Sequence, residues 1–328
     1  AATPERPERL IALSEDDEGT WMTKLQVLQL VQDDITFMDI TDRPETVFEV
    51  PEGPPLPNQP QQKTLVNSLN SQLDMNNMQS NVEILSSYKT RFYSTETGVE
   101  ACDWIHDTLI AYAGSRSDVT ISYFFANTTF PQRSVIASIA GTESTDKVII
   151  GSHEDSIVFG AFGTAPGVDD DGSGTVSNLE VFRVLMLNNF KPNRTLEFHF
   201  YSAEEVGLLG SQAVANKYAA AETVVVGMLQ LDMDFYIGTD DEDIVGIVTD
   251  YTDPDLTRFL RQLVDAYASI DWVDTECGYG CSDHASWTAV GYRAVFPFES
   301  EFNKKNPYIH TSQDTLAHAT LAHGLEFA

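Results

Sequence analysis

Apolar residues follow two different periods along the chain. Between residues 61 and 113 they recur every three or four positions, in SNVEILSSYKTRFY and TGVEACDWIHDTLIAYAG, which predicts amphipathic helices. From residue 118 onward, short apolar runs typical of strands alternate with helical patterns at 174–189, 207–220 and 254–269. The runs are DVTISYFF, SVIASIAG, KVIIGSH, TLEFHFYSA, TVVVGMLQLDMD, DIVGIVTD and YRAVFPF. This alternation predicts an α/β domain with a mixed, mostly parallel central sheet flanked by helices.

A proline-rich stretch, PEGPPLPNQP at 51–60, precedes this pattern and predicts an extended linker. We therefore divide the chain into a small N-terminal segment (1–50), the linker, and a main domain (61–328). The segment contains a helical pattern in TKLQVLQLVQ and a strand pattern at 35–40. A piece of this size has too small a core to be stable alone, so we expect it to pack on the main domain.

Charge and hydropathy exclude two classes of partner. The chain has 50 acidic and 19 basic residues, for a net charge of −31. Such a surface repels nucleic acid and anionic lipid. A run of about 18 apolar residues, which a membrane span requires, does not occur in the sequence. We expect neither a nucleic-acid nor a membrane partner.

Cysteine spacing and sequons bear on the compartment. Cys277 and Cys281, in CGYGC, are close enough to bridge across a tight turn, and two free thiols are the alternative. A disulfide there would indicate an oxidising compartment. Asn127 and Asn193 lie in glycosylation sequons, which permit secretion but also arise by chance.

Side chains that can bind metals follow successive predicted strands. They are His153 and Asp155, then Glu204 and Glu205, then Asp232 and Asp234, with His310 in a late loop. Another motif, PGVDDDGSG, places three aspartates, 169–171, ahead of a predicted helix. In open α/β sheets, ligands bind at the carboxyl ends of strands. The sequence therefore gathers two imidazoles and several carboxylates at one edge of the sheet.

Each of these features has a plain structural alternative. A histidine after a strand is commonly structural, and a Glu-Glu pair suits the first turn of a helix. Asp171 or Ser173 would serve as the N-cap of the helix at 174–189. The joint occurrence of these features at successive strand ends favours a metal site over the separate explanations.

The number of candidate ligands indicates two metals. Imidazoles with carboxylates suit zinc or another divalent ion. Five ligands exceed what one catalytic zinc with an open position needs, and they match two metals that share a bridging carboxylate. Glu204 then remains beside Glu205, where an unligated carboxylate next to a metal-bound water is a natural general base.

Seven motifs of the sequence resemble those of a known family. The motifs GSHEDS, PGVDDDGSG, YSAEEVGLLGSQ, LQLDMD, CGYGCSDHASW, FPFESEFN and NPYIHTSQDT occur in the order seen in the secreted two-zinc leucyl aminopeptidases of bacteria and fungi, of the Aeromonas/Vibrio type. The resemblance runs from Gln61 to the C-terminus and implies the zinc exopeptidase fold. Residues 1–60 resemble the propeptides of the same enzymes more loosely.

The resemblance also assigns roles to individual residues. It gives His153 and Asp232 to one zinc, Glu205 and His310 to the other, Asp170 to the bridge between them, Glu204 to the general base, and Asp155 to the orientation of His153. It implies a disulfide between Cys277 and Cys281 beside an apolar specificity pocket. The pocket residues are Met233, Tyr279, Phe296, Phe298, Phe302 and Ile309. Lys305 departs from the family pattern, because it stands where an aromatic residue is expected.

These assignments predict a secreted, monomeric metalloaminopeptidase with two Zn2+ per chain. It would release large hydrophobic residues, leucine first, from peptide or protein N-termini. A metal-bound water would attack the first peptide carbonyl with Glu204 as base. The N-terminal segment would be an inhibitory or chaperoning propeptide, bound within its own chain and removed by an activating protease that cuts near 57–61.

Other functions are less compatible with the motifs. A glutaminyl-cyclase-like or carboxypeptidase-like relative of the same fold is one alternative, and a secreted binding domain without catalysis is another. A nucleophilic hydrolase lacks its G-x-S-x-G motif, and the contiguous SDH at 282–284 is unlike a spatially assembled triad. A zinc finger built on Cys277, Cys281 and His284 lacks a convincing fourth ligand.

Overall fold

The computed structural model describes residues 8–14, 17–33, 35–41, 48–126, 130–158 and 163–328. Its strands are β1 (Glu8–Ala12), β2 (Thr20–Thr23), β3 (Met38–Asp39), β4 (Val119–Phe124), β5 (Ser134–Ile139), β6 (Ser144–His153), β7 (Arg194–Tyr201), β8 (Val225–Gln230), β9 (Ile244–Val248), β10 (Asp271–Thr275), β11 (Ala294–Val295) and β12 (Pro297–Phe298). Its helices are α1 (Lys24–Gln32), α2 (Lys63–Asn70), α3 (Met75–Ser87), α4 (Glu96–Ala113), α5 (Gly172–Leu187), α6 (Leu209–Ala220), α7 (Pro254–Tyr267), α8 (His284–Ala289) and α9 (Leu321–Phe327). Among the described residues, no helix combines the length and apolar character that crossing a bilayer requires.

A six-stranded sheet forms the centre of the molecule, in the order β11-β8-β6-β7-β5-β4. Strand β6 lies between β7 and β8 and runs parallel to both, and β11 runs parallel to β8. Strands β5 and β4 complete the sheet in antiparallel orientation. The predicted fold class, a mixed sheet flanked by helices, is confirmed.

Side chains of β7 alternate between two cores, as the pleat of a strand requires. Phe198 and Phe200 pack on one face of the sheet, in a cluster with residues of α3, α4 and α5. Tyr201 packs on the other face, with residues of α6 and α8 that include Trp287. Because both faces are covered, strands β5 and β7 are largely buried.

Helix α5 begins at the aspartate run and is buried on nearly all sides. The side chain of Asp171 caps it by accepting a hydrogen bond from the Gly174 N–H at 2.8 Å. Gly174 is required here because a Cβ would lie 2.3 Å from the Leu231 carbonyl oxygen, just beyond β8. The helix thus starts two residues before the predicted position. Its capped N-terminus places the aspartate run next to the end of β8.

A second, smaller sheet has the order β10-β9-β12. The run YRAVFPF, predicted as one strand, is divided at Phe296. Strand β11 on one side of it pairs with β8 of the central sheet, and β12 on the other side pairs with β9 of the small sheet. The Phe296 and Phe298 rings pack together with their centres 5.6 Å apart, in a cluster with Met233 and Ile309.

The N-terminal segment packs on the main domain, as expected for so small a piece. Val31 joins an apolar cluster with Ala203 and Val206, and Met38 packs against Leu208. The predicted strand at 35–40 is shorter than expected, since only β3 forms and pairs with β1. The boundaries 1–50, 51–60 and 61–328 remain predictions.

Candidate metal centre

Three adjacent parallel strands of the sheet deliver candidate ligands to one edge. Strand β6 ends on His153, and Asp232 lies two residues beyond the end of β8. After β7 the chain passes through Ala203, which has a left-handed φ of 57°, and reaches Glu204 and Glu205. The glutamates form a turn ahead of α6, which begins only at Leu209, so the alternative that they open a helix is wrong.

Asp170 stands between two groups of these ligands. Its Oδ1 lies 3.1 Å from His153 Nε2, and its Oδ2 lies 3.1 Å from His310 Nε2. His153 Nε2 is also 3.6 Å from Asp232 Oδ1, and His310 Nε2 is 3.0 Å from Glu205 Oε2. The two oxygens of one carboxylate therefore face two different imidazoles, each with a further carboxylate beside it.

The residues present fit a bound cation. Glu205 Oε1 and Asp232 Oδ1 are buried and find no hydrogen-bond partner among the described residues. A buried carboxylate oxygen without a partner is unfavourable by about 1–3 kcal/mol or more, and a metal ion would remove that penalty. Two groups of ligand atoms, each within 4.8 Å, could hold a metal: Asp170 with Glu205 and His310, and His153 with Asp171 and Asp232. A nitrogen and oxygen donor set of this kind suits zinc.

The electrostatics of the cluster agree with this fit. Burial would raise the pKa of Asp170, but hydrogen bonds from His153 and His310 hold it well below its ordinary value. Burial, together with the neighbouring Asp170 carboxylate, raises the pKa of Glu205 to about 7. Carboxylates are therefore crowded beyond what the two imidazoles neutralise, and added positive charge would relieve their repulsion.

The remaining aspartates of the run hold the loop in place. Asp171 accepts from the His153 N–H at 2.9 Å with Oδ2 and caps α5 with Oδ1, so its oxygens already have partners. Asp169 accepts from the Phe235 N–H at 2.9 Å and from Asn306 Nδ2 at 2.8 Å. Only the middle carboxylate, that of Asp170, has both oxygens facing the imidazoles, which is the position predicted for the bridge.

Asp155 differs in part from its predicted role. Its Oδ1 lies 3.6 Å from His153 Nδ1, which is longer than a hydrogen bond. It accepts more closely from the backbone N–H groups of Glu204, at 3.0 Å, and Glu205, at 3.3 Å. Asp155 therefore fixes the glutamate turn directly and stands beside His153 without a short contact.

Glu204 lines the cleft together with His153, Asp170 and Asp232. Burial raises its pKa well above its ordinary value, and nearby carboxylates raise it further while His153 opposes them. A carboxylate with a raised pKa, held by its backbone at the edge of a cleft, is suited to accept and return a proton.

All six predicted pocket residues line this same cleft: Met233, Tyr279, Phe296, Phe298, Phe302 and Ile309. Cys277 and Cys281 form the predicted disulfide with a sulfur–sulfur distance of 2.03 Å, and both contact the pocket cluster. The disulfide rules out a zinc finger built on these cysteines. His284 is buried with its ring tilted against Phe296, and burial lowers its pKa to about 3.

Two supporting residues were missed in the sequence. Arg91 is fully buried, and its guanidinium donates to the carbonyls of Glu154 (2.9 Å), Pro166 (2.6 Å) and Gly167 (2.9 Å). It thus joins the loop after His153 to the loop before Asp170. Ser282 Oγ donates to Asp232 Oδ2 at 2.5 Å, and the contiguous SDH motif was the only sequence signal for it.

A further support comes from the late loop that carries His310. Asp314, four residues beyond it, accepts from the backbone N–H of Asp169 at 3.0 Å and from that of Asp170 at 3.1 Å. The loop that supplies a candidate ligand therefore also fixes the backbone of the candidate bridge. The signal for Asp314 was its place in NPYIHTSQDT.

The N-terminal segment supplies one wall of the cleft. Val31, Ile35, Thr36 and Phe37 line it together with the candidate ligands and the apolar pocket. Nearby, Gln212 Nε2 donates to the Asp39 carbonyl at 2.7 Å. The segment is therefore in contact with the part of the molecule that holds the candidate site.

The structure describes only one of the two sequon asparagines. Asn193 is exposed, in the turn between α5 and β7. Asn127 lies outside the described residues. Glycosylation at either site remains a prediction.

Comparisons with known proteins identify the class. Residues 134–325 match peptidase family M28. Leucine aminopeptidase 1 of Metarhizium robertsii is 40% identical, over 98% of this chain and 86% of that protein. The LapA aminopeptidase structure from Legionella pneumophila superposes with a TM-score of 0.86 at 28% identity, covering 98% of this chain and 91% of that one. The chain belongs to peptidase family M28: it is a peptide hydrolase, and its relatives support an aminopeptidase.

A glutaminyl cyclase structure from Porphyromonas gingivalis superposes with a TM-score of 0.65 at 19% identity, covering 78% of this chain and 95% of that one. At this level of identity the likeness shows a shared fold only. The cyclase alternative therefore gains no support for its chemistry from this likeness.

Proposed function

We propose that this protein is a secreted two-zinc aminopeptidase that releases large apolar N-terminal residues, with leucine preferred. The observation that carries the proposal is the position of Asp170, whose two oxygens each lie 3.1 Å from a different imidazole. His153 and Asp232 would hold one zinc, Glu205 and His310 the other, and Asp170 would bridge them. When bound, zinc ions in such sites acidify water and polarise carbonyl groups.

Glu204 is the residue proposed to move protons. It lines the cleft beside the ligands, and its backbone is fixed by Asp155, so its carboxylate is held near the point of reaction. It would take a proton from the attacking water and return it to the leaving amine nitrogen. Such proton transfer typically contributes 10²–10⁴-fold to rate.

The apolar cluster beside the ligands accounts for the proposed leucine preference. Met233, Phe296, Phe298 and Ile309 are each less than 10% exposed and pack together. A leucyl side chain placed among them would leave water, and burying a side chain of this size contributes roughly 1.5–3 kcal/mol.

The N-terminal segment is proposed to be a propeptide. Support comes from its contacts, since Ile35, Thr36 and Phe37 line the cleft that a substrate would enter. Five of the ten residues in the linker that follows are exposed and none is buried, so a protease could reach it. Removal of the segment by an activating protease would open this wall. The disulfide between Cys277 and Cys281 supports an extracellular location, and we propose that the enzyme acts as a monomer on peptide N-termini.

The test is hydrolysis of leucine p-nitroanilide by the zinc-loaded chain, before and after cleavage within 51–60. We expect a large rise in kcat/KM after the segment is cut and separated by size-exclusion chromatography. Glu204→Gln should abolish turnover in both forms while two zinc ions per chain are retained. Substantial turnover by that variant would refute the role of Glu204.

The cyclase alternative is tested in the same preparation. Zinc is counted by elemental analysis, and N-terminal glutaminyl peptides are assayed for pyroglutamate formation. One zinc per chain, with cyclisation and without leucine release, would replace the aminopeptidase proposal. Equal, high leucine release by cut and uncut chains would retain the enzyme and reject inhibition by residues 1–50.

A further inference from the structure

The wall of the specificity pocket contains a positive charge. Its other proposed members are apolar or aromatic, but Lys305 lines the same cleft. The residue follows the short 3-10 turn at Phe302–Lys304, and its backbone N–H contacts the Phe302 carbonyl at 3.4 Å. This contact keeps the backbone of Lys305 next to Phe302, and the residue itself lines the cleft.

The ammonium group of Lys305 rests on an aromatic face. Its Nζ lies 4.7 Å from the centre of the Phe302 ring, in a cation–π contact. None of the carboxylates that the structure describes lies within 4.0 Å of this Nζ. The neighbouring Lys304 is different, because it pairs with Asp240 at 2.6 Å and with Glu301. One lysine is thus neutralised outside the pocket, and the next is half-buried in the pocket wall with its charge available.

A charge in this position acts on the substrate's first side chain. Phe302 belongs to the same apolar cluster as Met233 and Phe298, so Nζ lies at the margin of the space proposed for that side chain. A glutamyl side chain can pack its methylenes on the cluster and present its carboxylate to Nζ. A lysyl or arginyl side chain would bring a second cation to a place where one is already present.

Resting on the proposed function, we propose that Lys305 selects substrates by charge. The pocket admits glutamate at the N-terminus in addition to apolar residues, and it discriminates against lysine and arginine. Apolar residues remain the best substrates, because the greater part of the wall is apolar. Lys305 is thus a specificity-determining residue for the second substrate class, peptides with an acidic N-terminal residue.

The experiment compares kcat/KM for leucyl, α-glutamyl and lysyl p-nitroanilides, using the zinc-loaded chain after removal of the N-terminal segment. The variants are Lys305→Met, which keeps the length, and Lys305→Glu, which reverses the charge. Lys304→Met is the matched control, since it removes an adjacent lysine that does not line the cleft. Each variant is reported as glutamyl/leucyl and lysyl/leucyl ratios, so changes in overall activity cancel.

We expect Lys305→Met to lower the glutamyl/leucyl ratio about tenfold, which corresponds to about 1.4 kcal/mol. The expected effect is modest because Lys305 is partly exposed, and solvent weakens its attraction to a substrate carboxylate. Lys305→Glu should lower the ratio further and raise the lysyl/leucyl ratio above the glutamyl/leucyl ratio. Lys304→Met should leave both ratios within twofold of the unmodified protein.

Three results would overturn the inference. Ratios that stay constant across both Lys305 variants, with leucyl hydrolysis intact, reject charge selection and leave the aminopeptidase standing. Equal changes in Lys304→Met would assign the effect to overall charge. In a companion assay with Leu-Gly and Leu-Gly-amide as substrates, a loss of activity in Lys305→Met that is confined to Leu-Gly would show that Lys305 binds the C-terminal carboxylate of short peptides instead. Failure of the proposed function is distinct, because the unmodified protein would then release no leucine.

Discussion

Arg91→Met tests whether a buried arginine holds in place the two loops that carry candidate metal ligands. The guanidinium donates to three backbone carbonyls at 2.6–2.9 Å, besides a longer contact of 3.5 Å to the Leu85 carbonyl. One of the three, that of Glu154, directly follows His153 in the chain. The other two, those of Pro166 and Gly167, lie in the loop that leads to Asp170. Methionine matches the length and apolar stem of arginine but supplies no donor.

The magnitude follows from these three bonds. Each hydrogen bond from a charged donor contributes about 1.5–3 kcal/mol, and its loss leaves a carbonyl without this partner. Against this stands the desolvation of the arginine, since burial lowers its pKa, and methionine avoids that penalty. We expect a net loss of about 3 kcal/mol in the free energy of unfolding, which leaves the chain folded at a typical stability of about 5–15 kcal/mol.

Zinc affinity separates a positioning role from a purely structural one. Residues that orient metal ligands typically change metal affinity about 10–100-fold when they are substituted, and we expect a fall in this range for Arg91→Met. The assay is competition for zinc with a chromogenic chelator at 25 °C, alongside urea unfolding. Arg183→Met is the control, because Arg183 pairs with buried Glu180 within α5 and touches neither loop. A positioning role for Arg91 would be refuted if Arg91→Met lowered stability but left zinc affinity unchanged. It would also be refuted if Arg183→Met lost as much zinc affinity as Arg91→Met.

Three further predictions concern stability and the pocket. Burial raises the pKa of Glu197, but His199 and Lys147 bring it down to about 2 from an ordinary 4.5. The ionised Glu197 therefore stabilises the folded chain fully above pH 4.5, and this stabilisation is lost as the pH falls toward 2. In urea titrations, Glu197→Gln should therefore lower the free energy of unfolding by about 3 kcal/mol more at pH 6 than at pH 2. A loss of unfolding free energy that is the same at both pH values would contradict this. Replacing Cys277 and Cys281 by serine should reduce the free energy of unfolding by about 2 kcal/mol. Because the turn borders the pocket, the same change should raise KM for leucine p-nitroanilide more than it lowers kcat. Chelation should lower the Tm, and calorimetry should show restoration at two zinc ions per chain, whereas restoration at one would contradict the paired site.

The candidate ligands were predictable because their signal is local. A buried strand reads as an apolar run, and the polar residue that ends it stands out, as His153 does after KVIIGSH. Adjacent parallel strands then bring such residues to one edge of the sheet. For the same reason the N-terminus of α7 was correctly placed, since Pro254 follows a capping Asp253 whose side chain accepts from the Leu256 N–H at 2.7 Å.

What the sequence did not predict depends on contacts distant along the chain. Arg91 lies in a stretch that reads as helical, and its three shortest hydrogen bonds go to carbonyls 63 to 76 residues away. Strand β10, with the sequence DWVDT, carries too little apolar pattern to be recognised and is defined by pairing with β9. Phe296 divides a predicted strand because its two halves join different sheets. The hydrogen bonds of Asp155 to the glutamate turn likewise depend on the adjacency of β6 and β7.

The contacts of the N-terminal segment determine how an enzyme inhibited by this segment would become active. Phe37, Val31 and Met38 are held by apolar packing against the main domain, including residues just beyond the glutamate turn. Cutting the linker removes a covalent connection but none of these contacts, and Pro54 within it is itself held by a bond from Arg293 at 3.0 Å. We therefore expect a cut but unseparated chain to keep its cleft covered. If the segment is inhibitory, activity should follow dissociation of the segment and not cleavage, so the rise in leucine release should lag behind the appearance of the cut chain.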